Sequence, residues 1–125
     1  MASFPVFLDL DHSAPLVVGG GDLALSKVRL LLKRAPRVDV AADTLTADFA
    51  ALATAGQIKV VAPSPGVRAI RGRSLVISAT GDLNEDARVS AIARALGVPV
   101  NVPDRPELCS FSLAAIVDRG TVTVA

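Results

Sequence analysis

Tryptophan and tyrosine are absent from this chain, and phenylalanine occurs only four times among 125 residues. Modules that bind single-stranded nucleic acid stack bases on exposed aromatic rings, so that class loses its main chemistry here. Charge argues the same way: 13 Lys and Arg against 12 Asp and Glu leave a net +1, too little to hold a phosphate backbone. No nucleic acid partner is expected. The single cysteine, Cys109, excludes an internal disulfide and suits a reducing compartment as an inert, partly buried thiol. The single histidine, His12, rules out a histidine metal cluster, and no Cys-x-x-Cys pair replaces it. No run approaches the roughly 18 apolar residues of a membrane-spanning helix, and the opening MASFPVFLDLDH lacks the basic stretch of a signal peptide. A cytoplasmic protein without a membrane partner is expected.

What is present is a large apolar fraction, 51% of the residues, which suffices for one core in one domain. Short runs of Val, Ile and Leu at residues 16–18, 38–40, 58–61, 75–77 and 98–102 read as strands buried on both faces. Between the first two, Ala24, Val28, Leu31, Leu32 and Ala35 recur at helical spacing and leave Lys27, Lys33 and Arg34 outside. A second helix is predicted over residues 47–55, with Thr44 or Thr46 as cap and Gly56 at its end. A third follows Asn84 as its cap, with Val89, Ile92, Ala93 and Leu96 on its apolar face and Gly97 as its stop. Strands and helices alternating in this way predict an α/β fold, a doubly wound parallel sheet of the Rossmann type. Two segments break the rhythm: residues 4–10 read as an extra N-terminal strand closed by Asp11-His12-Ser13, and residues 113–124 as a C-terminal β-hairpin over Asp118-Arg119-Gly120. The chain stops on an alternating pattern, as though cut from something longer.

The strongest local signal is LVVGGGDLA at residues 16–24, where Gly19, Gly21 and Ala24 satisfy G-x-G-x-x-A between a strand and a helix. Gly19 permits the tight turn, Gly21 lets the main chain approach a pyrophosphate, and Ala24 lets the helix pack closely on the sheet. A dinucleotide site usually has an acidic residue near the end of the second strand for the ribose hydroxyls. Here the nearest is Asp43, either a ribose ligand or the start of a turn, and no Lys or Arg occupies residues 41–46, which favours NAD over NADP. Other segments end at the same sheet edge. Thr80 and Asp82 either line the nicotinamide side or only form a turn, and Asp104, pinned between Pro103 and Pro106, is either a general base or a turn residue. Arg68, Arg71 and Arg73, with Arg105, form either a solvated basic face or a polycarboxylate site.

Taken in order, FPVFLDL, then GGGD with its K-x-R-x-L-L helix, then SAT, NV-x-D and the SF…I-x-DR segment resemble the N-terminal module of the siroheme synthases. This is the precorrin-2 dehydrogenase and sirohydrochlorin ferrochelatase family, and the resemblance covers essentially the whole chain. It implies NAD-dependent oxidation of precorrin-2 to sirohydrochlorin and, in many members, insertion of ferrous iron to give siroheme. It implies cofactor contacts at Gly21, Asp22 and Leu23, at Asp43 and Thr44, and at Ala79 and Thr80, with Asp104 as the catalytic carboxylate. It also implies a homodimer, formed through a helical region that this chain does not include, and often a fused methyltransferase. Pro103 and the Arg-Pro-Glu-Leu-Cys after Asp104 depart from the commoner small-residue pattern of the family. From the residues alone a second class stays open, a Rossmann module that senses NAD or another nucleotide without chemistry.

Overall fold

Alternation along each strand divides the core into two layers. In the computed structural model, which describes residues 4–113, β1 (Leu16–Val18) sends Val17 to one face of the sheet and Leu16 and Val18 to the other, all fully or nearly fully buried. The first layer joins Val17 to Val38 and Val40 of β2 (Val38–Ala41) and to Ile77 of β4 (Val76–Ser78). It is covered by Ala24, Leu25, Val28 and Leu31 of α1 (Asp22–Leu32) and by Phe49 of α2 (Ala47–Thr54). The second layer packs Leu16, Val18, Ala41, Val76 and Val100 against Ile70 of α3 (Val67–Ile70) and Val89 and Ala93 of α4 (Leu83–Ala95). With β3 (Ile58–Ala62) and β5 (Val100–Asn101) the sheet runs β3-β2-β1-β4-β5, every pairing parallel. The order reverses between β1 and β4, and ligands of such sheets bind at that switch, beyond the carboxyl ends of the strands.

Three expectations change. The run at residues 58–61 is not buried on both faces: β3 lies at the edge of the sheet, and Lys59 and Val60 are exposed. Residues 4–10 do not form an added strand: Phe4, Val6 and Phe7 are largely exposed and only Leu10 packs on the first layer. The alternation was strand-like, but a single extended segment with Pro5 in it gains no ladder bonds unless a sheet edge lies beside it. The third predicted helix, α4, is capped by Asp82 rather than Asn84; the Asp82 carboxylate accepts from the N–H groups of Asn84 and Glu85. Both residues are good caps, and the reverse turn at residues 80–82 decides between them by putting Asp82 at the junction. A short helix, α3, and a 3-10 turn at Pro106–Leu108 had no periodic signal long enough to read. Apart from Leu113, the predicted C-terminal hairpin lies outside the described residues.

The loop before α3 is braced against α4. Arg88 donates through Nε to Glu85 at 2.7 Å and through its terminal nitrogen to Ser64 Oγ and the Pro65 carbonyl, while Ser64 donates to Glu85 at 2.7 Å. The Arg88 guanidinium, assisted by the Ser64 hydroxyl, holds the Glu85 carboxyl down to about 2, from an ordinary value of 4.5. A depressed carboxylate contributes stability that is fully present above its unfolded value and lost as pH falls through its folded one. Melting temperature against pH for wild type and Glu85→Gln is therefore expected to differ at pH 6 and to converge between about pH 4.5 and pH 2. A constant gap down to pH 2 would show that the brace acts through shape alone.

Candidate functional site

Main-chain geometry at the switch point shows why three glycines stand in a row. Gly19 has φ +128, a conformation closed to ordinary side chains, and a Cβ there would stand 2.4 Å from the Ala79 carbonyl oxygen at the end of β4. A Cβ on Gly20 would stand 1.8 Å from the Thr44 carbonyl oxygen, because the loop after β2 folds onto the glycine turn. The Thr46 N–H donates to the Gly20 carbonyl at 2.9 Å and holds it there. The fingerprint leaves this middle position free, and sequence reasoning gave Gly20 no task. Gly21 is the opposite case: a Cβ there would meet nothing within 4 Å.

Gly21 is the N-cap of α1 and no side chain caps that end. The first-turn N–H groups of the helix therefore point outward without side-chain partners, with the positive end of the helix dipole behind them. Open space over Gly21 beside uncapped amides suits a pyrophosphate, and Gly21, Asp22 and Leu23 would hold it through the main chain. Asp43 and Thr44 are exposed on the adjoining loop, with the Thr44 carbonyl against Gly20. No Lys or Arg lies at residues 41–46.

Beyond the glycine turn is a cleft of about 200 Å³ whose walls include Leu23, Ala79, Asp86, Pro103, Asp104 and Arg105. The fold thus brings the cofactor segments of α1 and β4 to one cavity with Asp104, which follows β5. Asp104 sits in a tight turn closed by the Arg105 N–H on the Val102 carbonyl at 3.1 Å. Pro103 occupies the second position and Asp104, with φ +63, the third. A turn of the type II kind ordinarily reserves that third position for glycine or asparagine. Asp104 is the one non-glycine with positive φ among the described residues, so the local rule is broken at a carboxylate facing the cleft.

Thr80 fills the turn role that the sequence left open for it. Its hydroxyl donates to Asp86 Oδ1 at 2.7 Å and accepts from the Asp82 N–H at 3.0 Å, so it is engaged inside the turn. Asp86 itself was missed. It is 6% exposed, and its Oδ1 also accepts from Ser78 Oγ at 2.7 Å and from the Thr80 N–H at 3.3 Å. An Asp in the first turn of a helix reads as a dipole partner, and only the seating of α4 on β4 turns it inward. Arg73, expected on a solvated basic face, reaches the buried Asp39 of β2 at the far edge of the sheet, while Arg68 and Arg71 are exposed. His12 lies at the surface against Asp9 at 2.7 Å, and half-buried Cys109 exchanges hydrogen bonds with the Val102 main chain. Among the described residues no group of metal-binding side chains assembles, and no helix is long and apolar enough to cross a membrane.

A parallel sheet of order 3-2-1-4-5 with a glycine turn and an uncapped helix at its switch point defines a dinucleotide-binding Rossmann domain. Residues 6–115 match the family described as "Putative NAD(P)-binding", and the chain belongs to that family. Among curated proteins it is similar to the siroheme synthase of Nitrosomonas eutropha, 40% identical over the whole of this chain and 26% of that protein. It is also similar to that of Stutzerimonas stutzeri, 42% identical over the whole of this chain and 27% of that protein. The chain thus spans about a quarter of the length of these relatives. Among solved structures it is similar to "SirC, precorrin-2 dehydrogenase", with a TM-score of 0.75 and 24% identity, covering 98% of this chain and 60% of that one.

Proposed function

We propose that this domain catalyses the NAD-dependent oxidation of precorrin-2 to sirohydrochlorin, as the N-terminal module of a siroheme-forming enzyme. The observation that carries the reading is the strained Asp104, held on the same cleft as Leu23 of α1 and Ala79, which follows β4. A module that only senses a nucleotide has no use for a carboxylate kept in a left-handed turn. NAD, when bound, supplies the hydride acceptor. The chain supplies the rest: main-chain amides from Gly21 to Leu23 orient the phosphates, Asp43 and Thr44 take the ribose, and Asp104 accepts the proton that leaves the tetrapyrrole. The same carboxylate can take pyrrole protons when ferrous iron, as substrate, enters a macrocycle whose own nitrogens become the ligands. Arg105 beside Asp104 is a partner for a substrate carboxylate. In this reading the tetrapyrrole pocket is completed in a homodimer. Precorrin-2 added with NAD to the full chain is expected to give sirohydrochlorin absorbance; binding of NAD without turnover would favour the sensor.

Cofactor choice is tested separately by calorimetry. NAD is expected to bind more tightly than NADP, whose extra phosphate finds no cation at residues 41–46. Gly21→Val, whose Cβ meets no protein atom, should fold normally yet weaken NAD by at least about ten-fold by obstructing the pyrophosphate. Gly20→Ala should also weaken NAD, but by pushing the Thr44 loop aside, with a lowered melting temperature. Equal affinity for NADP, or unchanged NAD binding in Gly21→Val, would overturn this assignment.

A further inference from the structure

Asp86 is a buried carboxylate on the wall of the cleft that the reaction proposed above does not use. Its Oδ1 is saturated by Ser78 Oγ, Thr80 Oγ1 and the Thr80 N–H. Its Oδ2 takes no hydrogen bond from the described residues, and it is not sealed away from the cleft that Asp86 lines. A hydroxyl has one hydrogen to give. Ser78, which is fully buried, gives its hydrogen to Asp86, and the Thr80 hydroxyl is engaged with Asp86 and the Asp82 main chain, so neither hydroxyl offers a hydrogen to the cleft. The wall at Asp86 therefore presents Oδ2 as an acceptor that carries negative charge. An unmade bond to such a buried acceptor is costly, so the wall discriminates strongly in favour of a donor and against an anion.

We propose that Asp86 is a specificity-determining residue that accepts an N–H from the bound ligand through Oδ2 and rejects a carboxylate at that point. The inference rests on the dinucleotide and tetrapyrrole reading given above. Two N–H sources lie at the reacting end, the carboxamide of the nicotinamide ring and the pyrrole nitrogens of the tetrapyrrole, and the experiment separates them; ADP-ribose, which keeps the adenine, controls for the adenine amino group.

Asp86→Asn is the informative variant. Three donors converge on Oδ1, so the Asn amide oxygen must take that place and its NH₂ must take the place of Oδ2. One acceptor becomes a donor while the turn keeps its bonds, which an unchanged melting temperature would verify. Calorimetry on the full chain would compare NAD, its analogue with nicotinic acid in place of nicotinamide, and ADP-ribose, which lacks the ring. Wild type is expected to prefer NAD to the acid analogue, Asp86→Asn to shrink that preference by about ten-fold or more, and ADP-ribose to bind both proteins equally. An unchanged preference together with weaker sirohydrochlorin binding, read by absorbance titration, would assign the N–H to the tetrapyrrole. If neither changes, the proposal is overturned while the dinucleotide reading stands. Failure of ADP-ribose to bind wild type would overturn both.

Discussion

Asp104→Asn is expected to lower kcat for precorrin-2 oxidation by about 10² to 10⁴, the range for losing a general base, with NAD affinity unchanged. Asn has nearly the size and reach of Asp but cannot take up a proton. It also tolerates the left-handed conformation at φ +63, so the turn between Val102 and Arg105 should survive the change. Asp104→Gly makes the same point from the other side. Glycine relieves the backbone strain, so this variant should be at least as stable as wild type and still inactive. The cofactor should be insensitive to both, since in the proposed reading its phosphates lie on main-chain amides around Gly21 and not on the Asp104 side chain. Steady-state kinetics with saturating NAD, calorimetry and thermal melts on the full chain would decide. Near-normal turnover in Asp104→Asn would reduce the carboxylate to a turn residue and favour the sensor.

Arg73→Ala is expected to cost about 3 kcal/mol of stability, near the lower end for removing one partner of a buried ion pair. Asp39 is the reason. Its side chain is 5% exposed within β2, and Arg73, itself 14% exposed, pairs with Oδ2 while also donating to the carbonyls of Ala14 and Ala69. Among the described residues only Arg37, half exposed, would remain, 3.2 Å from Oδ1. Its own solvation makes it a weak substitute, and two carbonyls would lose a donor as well. Against a total of about 5 to 15 kcal/mol for an ordinary domain, that loss is large. Denaturant midpoints should move without a change in slope, and NAD should still bind at low denaturant, because the pair sits toward the amino edge of the sheet. Replacing both partners, as Asp39→Val with Arg73→Met, should recover much of the loss by removing the stranded charge altogether. A single Arg73→Ala variant as stable as wild type would mean that water reaches Asp39.

Local periodicity and turn chemistry, which act over a few residues, determined much of this protein in its sequence. The five apolar runs that become strands, the helix from Ala24 onward, the stop at Gly97 and the glycine turn between strand and helix are all legible there, because each depends on neighbours within about one helical turn. The order in which family-like segments follow one another carried the resemblance to siroheme synthases. Long-range placement was settled only in three dimensions. The β3-β2-β1-β4-β5 order brings Gly19 against Ala79, sixty positions later, and makes Gly20 indispensable through a carbonyl at Thr44. It buries Asp86 under β4, and it brings Arg73, which the sequence leaves to a solvated face or a polycarboxylate site, onto Asp39. It also denies residues 4–10 the sheet edge that their alternation asked for. In each case the residue's own preferences were compatible with two outcomes, and desolvation by a distant part of the chain selected one.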